Sequence, residues 1–256
     1  MTDAVTTGCS AIDELLGGGF ERGTVTQVYG PPAAGKSNLA LSAAVAAAID
    51  GGRVLYIDTE GVSADRFRQL IEASLPSASA EAAAPLEEDA TPPIGNEDAT
   101  PSIEDVAERV VISEALDFDE QAEAVQDAAE FAPSVELIVL DSATGFYRLE
   151  RTDDEKGGEA LRAVARQTTH LLSLARRYDL AVVLTNQVFT DPDTDRVRGL
   201  GGHTLDHWTG IVLRLDRFRG GNRRATLEKH HAKAAGESVT FRITESGVET
   251  TDEFRE

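Results

Sequence analysis

The sequence predicts an α/β fold in which a mostly parallel sheet is flanked by helices and finished at its C-terminal edge by an antiparallel hairpin. Three observations lead there. Short apolar runs alternate with stretches of helical period, the signature of parallel βαβ units. Two of the runs, at 135–140 and 180–185, are almost uninterruptedly apolar, as strands buried on both faces are. Near the C-terminus the pattern changes to apolar-polar alternation from Glu237 to Ile243, the mark of a strand with one wet face.

Taken in order, Val25 to Tyr29 reads as the first strand. Gly30-Pro-Pro-Ala-Ala-Gly-Lys-Ser37 follows at once, and Asn38 to Ile49 then runs rich in Leu and Ala at helical spacing until Asp50-Gly51-Gly52 stops it. Arg53 to Ile57 is the next strand, leading into Asp58-Thr-Glu60-Gly61, and Asp65 to Leu75 is a further helix. From Pro76 to about Pro101 the chain is dominated by Ala, Ser, Pro, Glu and Asp, which cannot bury enough surface to offset the entropy of ordering. A solvated, partly disordered insertion is expected there, within one domain spanning 1–256. Ile103 to Ala129 reads as an acidic helix. Val135 to Leu140 is a strand ending in Asp141-Ser142, Gly158 to Tyr178 a long helix, and Leu180 to Thr185 a central strand ending in Asn186-Gln187. Phe189 to Thr204 is polar and Gly-rich, too irregular for an interior element. Trp208 to Asp216 and Arg224 to Glu228 read as later strands, before the edge hairpin.

The totals set the surroundings. A formal charge of -21, with Lys only at 36, 156, 229 and 233, is the surface of a protein in concentrated salt, where screening removes most self-repulsion. No stretch is long and apolar enough to cross a bilayer. Met1 to Ser10 lacks the basic leader and apolar run of a signal peptide, so a cytoplasmic location is expected. With Cys9 alone, no internal disulfide forms.

Gly30-x-x-x-x-Gly35-Lys36-Ser37 sits between a strand and a helix, as a phosphate-binding loop must. Its glycines let the backbone turn so that consecutive N–H groups point inward, and the helix adds its positive end. ATP is expected against Gly30, Pro31, Pro32, Ala33, Ala34, Gly35, Lys36, Ser37 and Asn38. Lys36 reaches the terminal phosphates, and the Ser37 hydroxyl holds Mg²⁺. Asp141 emerges at the carboxyl end of the sheet, where open α/β folds bind ligands, and is expected on the Mg²⁺ side. Glu60 can orient water toward the γ-phosphate provided that its strand lies beside the one ending at Asp141; Asp58 is the runner-up. The Gln187 amide can sense the γ-phosphate and relay its presence to the following loop.

Positive charge is segregated between Arg196 and Lys233, where nine Arg and Lys face three carboxylates. Arg196 and Arg198, on a loop, are expected to meet a phosphate backbone, although the segment can equally pair with the acidic insertion or an acidic partner. Lys229 and His231 can reach a nucleotide held by a neighbouring subunit, because ring and filament ATPases use basic residues in this way. His203, His207, His230 and His231 have no Cys and no obviously arranged carboxylate beside them, which argues against zinc.

Together, Thr7-Gly-Cys-Ser-Ala-Ile-Asp-Glu-Leu-Leu-Gly-Gly-Gly-Phe20, Gln27 to Ser37, Tyr56-Ile-Asp-Thr-Glu60-Gly61, Leu140-Asp-Ser142, Thr185-Asn-Gln187 and Phe241-Arg-Ile-Thr-Glu-Ser-Gly247 resemble the RecA/RadA recombinase superfamily. The likeness is strongest to its shortened archaeal paralogues. It implies a RecA-like P-loop NTPase core, ATP and Mg²⁺, with Glu60 as catalytic glutamate, Asp141 as the Mg²⁺-side aspartate and Gln187 as switch glutamine. It places a second DNA-binding loop after Gln187, ending near Gly201-Gly202, and a first at Ser142 to Glu155. The core starts within the first dozen residues, leaving no space for the N-terminal helix-hairpin-helix domain of full recombinases. The resemblance therefore implies an accessory protein of homologous recombination and DNA repair, with weak ATPase and no strand exchange of its own, working with a RadA-type recombinase. A KaiC-like signalling ATPase in closed rings, or an ATP-gated scaffold that does not bind DNA, shares the phosphate loop and stays open at this level.

Overall fold

The computed structural model describes residues 4–75, 101–146, 154–190, 197–199 and 202–251. The acidic stretch 76–100, residues 147–153 of the expected first DNA loop, and Arg196 lie outside the described residues. Helix α1 (Ser10–Leu16) precedes β1 (Val25–Tyr29), and α2 (Lys36–Ile49) starts at the lysine of the glycine-rich turn. β2 (Val54–Asp58) and α3 (Ala64–Ser74) follow, the helix begun by Ser63, whose side chain accepts from the Arg66 N–H.

The expected single helix from Ile103 to Ala129 is instead two helices with a strand between them: α4 (Ile103–Glu108), β3 (Val110–Glu114) and α5 (Phe118–Phe131). The β-branched run Val110-Val-Ile112 suits a strand, and it pairs in parallel with β2 from Val54↔Val110 to Asp58↔Glu114. Asp117 then caps α5 by accepting from the Glu120 N–H at 2.8 Å. Next come β4 (Leu137–Asp141), α6 (Asp154–Tyr178) and β5 (Ala181–Asn186).

The segment expected to be irregular holds a small antiparallel ribbon, β6 (Val188–Thr190) with β7 (Val197–Gly199), and a short helix α7 (Gly202–Trp208). Trp208, expected to open a strand, ends this helix with its ring partly exposed and edge-on to His207. β8 (Ile211–Arg217), β9 (Asn222–Lys229), β10 (Ser238–Thr244) and β11 (Gly247–Thr250) complete the described chain.

The main sheet runs β11-β10-β9-β8-β1-β5-β4-β2-β3. From β8 to β3 every neighbouring pair is parallel, and from β8 outward through β11 every pair is antiparallel. All residues of β1, β2, β4 and β5 are buried, because helices cover both faces. On one face Val28, Val139 and Val183 pack against Leu39, Ala43 and Ala47 of α2. On the other, Ile138, Leu140 and Leu184 meet Val125 of α5 with Val164 and Leu171 of α6. The small residues of α2 let that helix lie close to the sheet, which holds its N-terminus over the carboxyl ends of the central strands. Cys9 is buried and free, and among the described residues no helix is long and apolar enough to cross a membrane.

Ile138→Ala, in the middle of β4, is expected to destabilise the protein by about 3 kcal/mol through lost burial and the cavity left behind. Ile112→Ala on edge strand β3, where the side chain is 46% exposed, is expected to cost under about 1 kcal/mol. Paired denaturant titrations compare the two.

Candidate functional site

Strand β1 delivers the chain at Gly30, where an added Cβ would stand 2.2 Å from the Leu215 carbonyl oxygen of β8. No larger residue fits this crossing. Ala33 (φ 60) and Gly35 (φ 105) then take left-handed conformations and turn the loop back into α2. The unpaired first-turn N–H groups of α2 and its positive end point into a cleft of about 270 Å³, lined by Pro32, Ala33, Gly35, Lys36, Ser37, Asn38, Glu60 and Gln187. Of the residues expected around ATP, Gly30, Pro31 and Ala34 do not line the cleft. Ala34 is packed in the core, and the carbonyls of Gly30 and Pro31 accept from the Lys36 ammonium at 3.1 and 3.2 Å. Burial pushes the Lys36 pKa down, against the opposing pull of Glu60 and Asp141.

Asp141 is fully buried at the end of β4. Its carboxylate accepts from the Tyr56 hydroxyl of β2 at 2.7 Å and from Thr185 of β5, and the Ser37 hydroxyl at the start of α2 is near enough to lower its pKa. Burial raises the Asp141 pKa, and the hydroxyls of Thr185, Tyr56 and Ser37 oppose the rise. A desolvated carboxylate beside the Ser37 hydroxyl offers hard oxygen ligands for a divalent cation next to the phosphate loop. Tyr56 and Thr185 were missed by sequence reasoning. Both stand in segments that carry the family resemblance, Tyr56 to Gly61 and Thr185 to Gln187, near the carboxyl ends of the strands flanking β4, but neither was given a role of its own.

β2 lies directly beside β4, with Asp58 opposite Asp141, so the condition attached to Glu60 is met. Asp58 does different work: its buried carboxylate accepts from the backbone N–H groups of Glu60 (3.0 Å), Gly61 (3.1 Å) and Val62 (2.5 Å). It builds the turn that presents Glu60. Glu60 is exposed at the cleft and accepts from the Gln187 side-chain amide at 3.1 Å. The Gln187 N–H is bound in turn by Thr144 Oγ1, which donates to Asn186. Arg66, also missed, ties the rim together: it donates to Asn38 Oδ1 at 3.1 Å and to the carbonyls of Thr244 and Glu245, joining α2, α3 and the end of β10.

The basic segment divides in two. Arg214 is engaged by Asp216 at 2.9 Å and lies 3.8 Å from Glu228. Lys229 donates to the carbonyls of Asp206 and Thr209 at the end of α7, and Lys233 to those of Glu14 and Leu15 at the end of α1, so both close helix termini. Arg217 and Arg224 are exposed, the latter with its guanidinium 4.8 Å from the Phe218 ring. Arg198 lies on β7 opposite Phe189; its side chain is outside the described residues.

A carboxylate does accompany two of the histidines, contrary to expectation. Glu21, His230 and His231 converge, with His231 Nε2 3.6 Å from Glu21. The His230 Nδ1 accepts the Ala232 N–H at 3.0 Å, so neutral His230 carries its proton on Nε2 and has no free lone pair for a metal. His231 is exposed.

A phosphate loop on the central strand β1, a buried aspartate on β4 with β5 between, and a glutamate–glutamine bridge over the cleft define a RecA-like P-loop ATPase fold. The family model for Rad51 matches residues 2–74 and 99–251, and the chain belongs to that family. The unmatched residues between those segments fall on the acidic stretch. Within the family it is similar to the DNA repair and recombination protein RadB of Halobacterium salinarum, 59% identical over 245 residues, covering 95% of this chain and 93% of that one. RadB of Methanoculleus marisnigri is 41% identical over 253 residues, covering 97% and 99%. The crystal structure of the RadB recombinase superposes with a TM-score of 0.76 at 32% identity, covering 97% of this chain and all of that one. The KaiC-like and scaffold alternatives find no support in these likenesses.

Asp58→Ala is expected to cost about 2–4 kcal/mol, because three N–H groups lose a charged acceptor in a partly buried turn. The exposed Glu60→Gln should stay within about 0.5 kcal/mol of wild type. Urea unfolding midpoints separate the two neighbours.

Proposed function

We propose that this protein binds ATP and Mg²⁺ in the cleft over α2, hydrolyses ATP slowly, binds DNA, and serves homologous recombination and DNA repair as an accessory to a RadA-type recombinase, without strand exchange of its own. The observation that carries the nucleotide part is the convergence of Lys36, Ser37, Asp141, Glu60 and Gln187 at one sheet edge. The recombination part rests on similarity to the RadB proteins. The same reading takes the chain as one cytoplasmic domain carrying an acidic insertion at about 76–101.

In this reading the nest of N–H groups holds the phosphates, and Lys36 exchanges its two loop carbonyls for phosphate oxygens. Ser37 and Asp141 would hold the cation, which when bound would neutralise phosphate charge. Asp141 acts mainly through water, because its oxygens already accept hydrogen bonds. Glu60 orients water for attack, and the Gln187 amide, hydrogen-bonded to Glu60, links that carboxylate to the ribbon beyond it. Arg196, together with Arg198 on this ribbon, meets the DNA backbone, in a field strengthened by Arg217. If the protein assembles with itself, the exposed His231, beside Glu21, would face a neighbour's nucleotide, whereas Lys229 would first leave two helix-end carbonyls.

Calorimetric ATP titration with a phosphate-release assay tests the site. Lys36→Ala is expected to weaken ATP binding more than about tenfold. Glu60→Gln should leave affinity within about twofold and lower turnover about a hundredfold. Unchanged affinity and turnover in Lys36→Ala would remove the assignment. For DNA, fluorescence anisotropy with short single strands over a salt series should show binding that falls steeply with salt. Arg196→Ala with Arg198→Ala should weaken it and flatten its slope; a slope unaltered by the pair would move the contact elsewhere.

A further inference from the structure

Both glycines of the phosphate loop are braced from outside by the antiparallel part of the sheet. Gly30 packs beneath the Leu215 carbonyl of β8. At Gly35 an added Cβ would stand 2.7 Å from Cδ1 of Ile243, 3.2 Å from Cδ of Arg223 and 3.4 Å from Nε of Arg223. Arg223 of β9 therefore lies across the back of the loop, on the side away from the nucleotide cleft.

Its electrostatic position is unusual. Arg223 is half-buried, its Nη1 donates to the Gly221 carbonyl at 2.7 Å, and its Nε is buried with no hydrogen-bond partner. No carboxylate forms an ion pair with it among the described residues. In the β8–β9 register the residue directly opposite is Arg217, another cation. Like charges facing one another across a strand pair are unfavourable, and in a chain of net charge -21 a carboxylate neighbour would have been easy to supply. Burial and Arg217 both push the Arg223 pKa down, in keeping with a cation that lacks a counter-charge. The place where negative charge would arrive is the far side of Gly35.

We propose that Arg223 is a positioning residue for the nucleotide's phosphates: it holds the phosphate loop in its open nest through Gly35 and supplies a positive charge, only partly screened, that a bound polyphosphate completes. This rests on the ATP-binding reading above and adds to it a residue that does not line the cleft. The effect must grow with the number of phosphates, because it acts through charge across the loop and not through contact with the base. A purely mechanical brace would weaken every adenine nucleotide alike.

The experiment is calorimetric titration of wild type, Arg223→Met, Arg223→Lys, Arg224→Met and Lys36→Ala with ATP, ADP and AMP in the presence of Mg²⁺, with unfolding midpoints measured without nucleotide. Arg223→Met is expected to weaken ATP about tenfold, ADP less, and AMP no more than about twofold. Arg223→Lys should regain most of the loss, and Arg224→Met, which removes the same net charge one residue away, should stay within about twofold. Arg223→Met matching wild type for ATP, an equal loss for all three nucleotides, or an equal loss in Arg224→Met would each overturn the inference. A weakened Lys36→Ala in the same series keeps the nucleotide reading intact in those cases. Absence of ATP binding by wild type would remove both.

Discussion

The functional edge of this protein depends on one buried carboxylate. Asp141 gathers hydroxyls from β2 and β5, the strands on either side of β4, and stands beside Ser37 in the first turn of α2. Hydrogen bonds to a charged acceptor are worth about 1.5–3 kcal/mol each, and removing a partner inside the core leaves an uncompensated group. Parallel pairing sets the heights of the strand ends, and the hydrogen bonds to Asp141 tie β2 and β5 together there. The loop between β1 and α2 is held by the packing of Gly30 under the Leu215 carbonyl and by the Lys36 ammonium on the carbonyls of Gly30 and Pro31.

Much of this was readable in the sequence because the relevant residues lie at ends of strands that announce themselves. The runs at 25–29, 135–140 and 180–185 are apolar enough to be central strands, and a parallel sheet then forces their carboxyl ends to one side. That is why Lys36, Asp141 and Gln187 could be named together before any coordinates. Glu60 needed one more fact, the adjacency of β2 and β4, which spacing alone does not give. Where elements were misread, local signals competed. Val110 to Glu114 is too short and too flanked by acidic helical residues to stand out as a strand until β2 is there to pair with it. Trp208 looked like strand because aromatics favour sheets, whereas it finishes a helical turn begun at Gly202. Tyr56 stands in a quoted segment without a role of its own, and Arg66 and Arg223 stand in none: what each of the three touches is distant in sequence.

The charge distribution makes better sense once partners are counted. The basic segment looked like one block in the sequence. In three dimensions Lys229 and Lys233 stabilise helix ends and Arg214 is neutralised by carboxylates, which leaves a smaller set facing outward or toward the loop. A concentration of Arg in an acidic chain is thus partly architecture. Of the four lysines, two hold the main-chain carbonyls at the ends of short helices.

The chain has a single tryptophan, and it stands partly exposed at the end of α7, edge-on to His207, just beyond the ribbon that follows Gln187. Its intrinsic emission therefore comes from one indole at one address. Rearrangement of that neighbourhood can be followed by exciting the unlabelled protein at wavelengths that indole absorbs and tyrosine does not, without a dye and without a second indole diluting the signal.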